Sequence, residues 1–359
     1  MPLFNVYPLY DVTPVKAKGV YVYDENKTEY LDLYGGHAVI SIGHGHPKYV
    51  EAITNQVAKL GFYSNAIQNP LQKELTDKLE TLSGCKEYQL FLCNSGAEAN
   101  ENALKLASFK TGKSRVIAFK NGFHGRTSAA VAATDNTSII APINAQQKVT
   151  ILELNDIERV QRELEKGDVC AIIIEFIQGV GGLDQATAKF FEKVDVLCKA
   201  NNTFFIADEV QTGIARTGRL LATCGNCSCE EKNCSGTPEV KADILILGKA
   251  LSGGAYPVSA VLANNHIMDV IQPGNHGSTF GGNPIAAAVA MAALEVVADE
   301  KLAINADALG IIFREELAAF ANENDLVKSV RGKGLLNAVL INDTEESSTA
   351  WDICMKLRD

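Results

Sequence analysis

Between Gln68 and Met268 the chain alternates helical patterns with seven short apolar, β-branched runs: Tyr88–Leu92, Arg115–Phe119, Val149–Leu152, Cys170–Ile174, Thr203–Ala207, Asp243–Leu247 and Val258–Leu262. Runs this short and this continuously apolar suit strands buried on both faces, and helices between them impose parallel crossovers. The pattern therefore predicts an α/β fold with a mostly parallel seven-stranded sheet covered by helices on both faces. Around it we expect an N-terminal arm and part of a smaller domain over 1–50, a large domain over 51–285, and a linking helix with an incomplete C-terminal small domain over 286–359. The small α+β domain is then built from both chain ends. Strands are expected in Gly19–Tyr23 and from Glu29, separated by a turn at Asp24–Lys27; helices are expected over Lys48–Leu60 and from Pro284 to about Asp299.

A chain of 359 residues with 47% hydrophobic content can bury substantial cores. Its formal net charge of −10, without a basic block, argues against nucleic acid or an anionic membrane surface as partner and favours small molecules. No apolar run has the length of a membrane span and the first residues lack a secretion signal, so a cytoplasmic location is expected. Nine cysteines, an odd number, point to reduced thiols. Four of them, Cys224, Cys227, Cys229 and Cys234, follow the spacing C-x2-C-x-C-x4-C, which suits either a structural tetrahedral zinc or a thiol-rich surface excursion. His37, His44 and His46 fall within ten residues, but Gly43, Gly45 and Pro47 make that segment a turn with no sequence-near acid or cysteine to complete a metal site.

Open α/β sheets hold ligands beyond the carboxyl ends of their strands, so residues just after the apolar runs carry the chemistry. Lys249 follows Ile244–Leu247; a lysine withdrawn from water loses its proton more readily and becomes a nucleophile toward carbonyls. Asp208 ends another run, where a carboxylate wants a cation, caps a helix or binds metal. Ser95, Gly96 and Ala97 open a helix after a strand, as an ordinary cap or as a phosphate cradle. With the aromatic Phe123 and the segment Gly277–Gly282, these positions match a ligand carrying an aldehyde, a pyridine nitrogen and a phosphate. Pyridoxal 5′-phosphate is such a molecule.

Five motifs in order, Asn94-Ser-Gly-Ala-Glu-Ala-Asn-Glu, Phe123-His-Gly-Arg-Thr, Asp208-Glu-Val-Gln-Thr-Gly, Leu247-Gly-Lys-Ala-Leu-Ser-Gly-Gly and Gly277-Ser-Thr-Phe-Gly-Gly-Asn-Pro, resemble those of the class III aminotransferases of the ornithine and N-acylornithine branch, a fold-type I pyridoxal-phosphate family. The resemblance runs through essentially the whole chain. It implies that Lys249 is the Schiff-base lysine and proton shuttle, that Asp208 pairs with the pyridinium nitrogen, and that Gln211 reaches the ring hydroxyl. Phe123 and Val210 would flank the ring. Ser95, Gly96 and Ala97 would hold the phosphate together with Ser278 and Thr279 of a second subunit, implying a homodimer with shared active sites. Arg126 would bind the substrate α-carboxylate, with Tyr7, His37 and Glu175 as further substrate-binding candidates.

The resemblance splits over substrate. Ornithine aminotransferases usually carry Glu-Pro-Ile-Gln-Gly-Glu where this chain has Glu175-Phe-Ile-Gln-Gly-Val180, and valine cannot attract a free amino group. Together with Leu33–Val39 this resembles the acetyl- or succinylornithine enzymes of arginine biosynthesis, whereas Pro257–Leu262 and Arg331–Ala338 look more like ornithine aminotransferases. The expected activity is transfer of the δ-amino group of N-acetyl- or N-succinylornithine to 2-oxoglutarate, with ornithine δ-aminotransferase as the alternative. The family continues beyond the position of Asp359 with one more small-domain segment, so a fragment is expected. A truncated, cofactor-binding but catalytically impaired interaction protein is the alternative from another class.

Overall fold

The structure, a computed structural model, describes residues 1–223, 240–344 and 347–358. Three short strands come first, β1 (Pro14–Lys18), β2 (Tyr21–Asp24) and β3 (Glu29–Leu31), forming a small antiparallel sheet. The exposed strand β1 was not expected, because its Pro-Val-Lys-Ala-Lys sequence lacks the apolar alternation that marks a strand.

The seven expected strands form one sheet. They are β4 (Tyr88–Cys93), β5 (Arg115–Phe119), β6 (Val149–Leu152), β7 (Val169–Ile174), β8 (Phe204–Asp208), β9 (Ile244–Leu247) and β10 (Ser259–Asn264), in the order β4-β10-β9-β8-β7-β5-β6. All six pairings can be followed by direction: β5 runs parallel to β6 and β7, β7 to β8, and β8 to β9, while β10 is antiparallel to both of its neighbours. Six strands thus point the same way and end on the same edge.

Alternate residues of these strands feed two separate cores. Ile117, Phe119, Leu245 and Leu247 face one side, and Val116, Ala118, Ile244 and Ile246 the other. This is why the runs read as continuously apolar rather than alternating. Helix Gly96–Thr111 covers one face, and helices Pro70–Ser83 and Pro284–Asp299 pack on the other. The last of these is apolar nearly all round and correspondingly almost wholly buried, as a helix enclosed by other elements must be. Truncating a fully buried member such as Ile172 or Leu245 to Ala should cost about 2–5 kcal/mol.

After the long helix Leu302–Asn322, the chain forms an antiparallel hairpin of β11 (Val327–Lys333) and β12 (Leu336–Ile341), followed by helix Thr349–Arg358. Tyr10 of the N-terminal arm stacks on Trp351 of that last helix, with ring centroids 5.0 Å apart, so the two ends of the chain meet. No helix among the described residues is long and apolar enough to cross a membrane. Cys224, Cys227, Cys229 and Cys234 lie outside the described residues; among those described, no group of His, Cys, Asp or Glu could hold a metal ion.

Candidate active site

The carboxyl edge of the sheet gathers the chemistry. Asp208 closes β8, Glu175 follows β7, Lys249 follows β9, and the Ser95 helix follows β4. Asp208 is almost fully buried, and each of its oxygens is engaged. The Val210 N–H donates to Oδ1 at 3.0 Å, while Asn100 Nδ2 and His124 Nδ1, each at 2.8 Å, share Oδ2. The Asn100 amide also donates to the His124 carbonyl, and Thr134 Oγ1 accepts from the His124 N–H, so the imidazole cannot swing away. Burial works against a charged His124 ring, but the hydrogen bond and charge of Asp208, helped by Glu175, outweigh it and hold the imidazole above its ordinary value.

Glu175 is buried beside this pair. Its Oε1 accepts from the Phe123 N–H and its Oε2 from the Gly179 N–H, both at 2.9 Å. Desolvation pushes its carboxyl up to about 7. Its two oxygens fix the backbone that carries Phe123, which places Glu175 beneath the site as a brace.

Lys249 sits at φ 40°, in the left-handed region, at the head of a 3-10 turn, Lys249–Ser252. A non-glycine residue held there costs roughly 1–2 kcal/mol, strain of the kind that collects at functional sites. Its Nζ donates to Gln211 Oε1 at 2.9 Å. Burial lowers the pKa of the amine, with Asp208 and Glu175 pulling the other way.

Whether pyridoxal phosphate fits can be tested on the close approaches. A Cβ on Gly96 would come within 2.7 Å of Val210 Cγ1, and a Cβ on Gly179 within 2.4 Å of the Gln211 amide. Only glycine allows the helix start to close on Val210 and Gln211 to lie flat on the backbone facing Lys249. The first-turn N–H groups of Gly96 and Ala97 have no helical partner, and Ser95 Oγ caps the turn by accepting from the Glu98 N–H. A helix start offering free donors, a buried carboxylate and a lysine amine with lowered pKa make a donor set that fits the cofactor.

The remaining candidates lie around this floor. Arg126 is exposed, its guanidinium 5.3 Å from the Phe123 ring centroid, and among the described residues no acid is in ion-pair range of it. His37 stands within electrostatic reach of both Lys249 and Arg126; burial first, then those two cations, lower its pKa. Tyr7 lies on the exposed N-terminal arm, within electrostatic reach of Tyr34. Ser278 Oγ is held inside its own chain, donating to Glu98 Oε1 and accepting from Asn94 Nδ2 and the Gly281 N–H, while Thr279 is exposed.

Reasoning from sequence gave no role to Asn100 or His124. Asn100 and His124 both lay inside quoted motifs, at positions to which no role was given.

A family model described as aminotransferase class-III matches residues 5–359. The chain belongs to the class III aminotransferases and is a pyridoxal-phosphate-dependent enzyme of that family. It is 40% identical to the mitochondrial ornithine aminotransferase of Drosophila ananassae, over 99% of this chain and 80% of that protein. Among solved structures it is similar to the acetylornithine aminotransferase of Elizabethkingia anophelis, with 43% identity, a TM-score of 0.84, and 99% and 85% of the two chains covered. The ornithine aminotransferase of Toxoplasma gondii aligns with a TM-score of 0.88 at 35% identity, covering 98% and 82%.

Proposed function

We propose that this enzyme moves the δ-amino group of an N-acylated ornithine, acetyl or succinyl, to 2-oxoglutarate, giving the acylated semialdehyde and glutamate. The observation carrying this reading is Val180. Its chain neighbour Gly179 packs on Gln211, which holds Lys249 Nζ, so Val180 follows directly on the backbone that supports the partner of the reacting amine, with 64% of its surface exposed. An apolar side chain there suits a capped amide and offers nothing to a free α-ammonium.

Pyridoxal phosphate would supply an aldehyde able to take up an amino group and a protonated ring that withdraws electrons. Asp208, fixed by three donors, would hold the proton on the ring nitrogen, and Ser95, Gly96 and Ala97 would hold the phosphate. Phe123 and Val210 would flank the ring. Lys249 Nζ, made easier to deprotonate by burial and oriented by Gln211, would move the proton at substrate Cδ. Arg126, with no competing acid in range among the described residues, would grip the α-carboxylate through two parallel hydrogen bonds and leave the δ-amine toward Lys249. His37 and Tyr7 would stand on the same side of the site as Arg126.

The active unit proposed is a homodimer. Phe62 and Phe280, 5.0 Å apart and both exposed, flank a surface on which Thr279 is free to reach a second copy. The ornithine aminotransferases among the relatives support a second substrate, free ornithine, as the acetylornithine aminotransferase supports the first. Absorption changes of the bound cofactor with ornithine, acetylornithine and succinylornithine in turn distinguish the two: a change with ornithine alone overturns the acyl reading.

A further inference from the structure

Gly35, Gly36, His37 and Ala38 all take left-handed φ values between 56° and 61°, so the segment carrying His37 is a left-handed turn and two of its members are not glycine. Such a turn persists only where its surroundings hold it. Asp32 holds its start, with Oδ1 accepting from the Tyr34 and Gly35 N–H groups and Oδ2 paired with His44. Ser41 holds its end, with Oγ donating to the Ala250 carbonyl in the Lys249 turn. Arg216 holds its middle: Nη2 donates to the carbonyls of Ala38, at 3.2 Å, and Ile40, at 2.5 Å.

Arg216 is an unusual choice for that task. Among the described residues it has no carboxylate in ion-pair range, and its buried Nε has no hydrogen-bond partner. Asp32, the acid whose charge it senses, is already engaged by the turn and by His44. A buried guanidinium left without an acid is costly, so the site keeps it for something other than an ion pair. The Arg216 carbonyl also accepts from the Leu335 N–H at 3.0 Å, next to Gly334, where a Cβ would run into the backbone of Arg216 and Thr217. Arg216 therefore touches the N-terminal turn with its side chain and the β11–β12 hairpin with its backbone, and its charge is felt at Lys249.

We propose that Arg216 is a positioning residue for substrate binding: its fork across the Ala38 and Ile40 carbonyls clamps the left-handed turn to the Lys249 loop and fixes where His37 stands over the site. The planar guanidinium bridges two carbonyls at once, whereas an ammonium, as a point charge, serves them less well.

The test uses the holoenzyme and two variants, Arg216→Met and Arg216→Lys. Hydrogen exchange of the Ala38–Ser41 amides, which needs no substrate, should accelerate about tenfold in Arg216→Met and by less in Arg216→Lys, with the sheet strands unchanged. With whichever amino donor the unmodified enzyme turns over, KM should rise about tenfold while kcat stays within about a factor of two, the split for a contact made equally in ground and transition states. Two results overturn the proposal: turn protection equal to that of the unmodified enzyme in both variants, or protection lost evenly across the sheet, which would make Arg216 a general structural residue. Should Arg216→Met fail to fold, Arg216→Lys decides by the same two readouts. Because exchange is read without substrate, failure of the acylornithine reading leaves this result standing.

Discussion

Asp208 and Glu175 lie buried at strand ends with every carboxylate oxygen engaged, and His124 lies buried on the loop after β5, whereas Arg126, His37 and Val180 stand exposed on loops around them. The first group forms the floor that a cofactor would rest on, and the second the rim a substrate would meet. The floor is over-determined: moving Asp208 would break bonds to a helix residue, a loop imidazole and its own following turn. The rim is held at few points, the His37 turn by Asp32, Arg216 and Ser41, and Arg126 by the face of Phe123. A substitution in the floor should therefore cost rate and stability together, and one on the rim should change which substrate is used.

The largest effect is expected at Lys249. Lys249→Ala removes the amine that Gln211 orients, and turnover should fall by at least about 10³-fold, within the range assigned to a lost acid–base group and more if the covalent role is also lost. Stopped-flow and steady-state rates check this; normal rates in the variant would break the division between floor and rim at its centre.

Asp208→Asn comes next. It removes the partner of His124 and the charge that would face the ring nitrogen, and the rate should drop about 10²–10³-fold. The fold should lose about 1–3 kcal/mol, read from denaturant midpoints, because a buried donor is left poorly satisfied. The His124 imidazole, held high by Asp208, should titrate lower in the variant, which NMR of the ring protons would report.

The floor also predicts a pH dependence of stability. Glu175 titrates near 4.5 when unconstrained and about 7 in the fold. Between those values the folded chain keeps a proton that the unfolded chain has released, so stability falls as pH rises across that window. His124, raised above its ordinary 6.5, contributes stability that is full below that value and is lost as pH climbs through its folded value. Both act in the same direction, with at most about 1.4 kcal/mol per pH unit from each group. Urea midpoints between pH 5 and 8 should decline in the unmodified protein and decline less in Glu175→Gln. An equal slope in both would mean that Glu175 carries no part of it.

The same contrast explains what could be read from sequence. Lys249, Asp208 and the Ser95 helix follow apolar runs, so strand periodicity alone placed them on one edge of the sheet. Sheet order and the antiparallel β10 could not be read, because pairing depends on contacts between distant segments. Asn100 and His124 were missed because burial of a polar side chain leaves no local pattern. Arg216 and the left-handed turn at Gly35–Ala38 were missed because backbone handedness at His37 and Ala38 runs against what those residue types prefer and is imposed by tertiary contacts. In Glu175 the sequence suggested a substrate contact, and the structure shows both oxygens bonded to the backbone of Phe123 and Gly179.

The smallest effect on stability, and the sharpest on choice, belongs to Val180. Being mostly exposed, its replacement by glutamate should shift folding stability by no more than about 0.5 kcal/mol. The new carboxylate would stand one residue from Gly179, able to attract a free α-ammonium and offering nothing to an acyl amide. Discrimination worth about 1–3 kcal/mol corresponds to a change of roughly 10–200-fold in the ratio of kcat/KM for ornithine over acetylornithine, in favour of ornithine. The same carboxylate could instead draw in Arg126, which has no acid in ion-pair range among the described residues, and then both substrates would lose kcat/KM together through a higher KM. Measuring the two ratios side by side separates these outcomes. An unchanged ratio with unchanged KM would remove Val180 from the rim and leave substrate choice to His37 and Arg126.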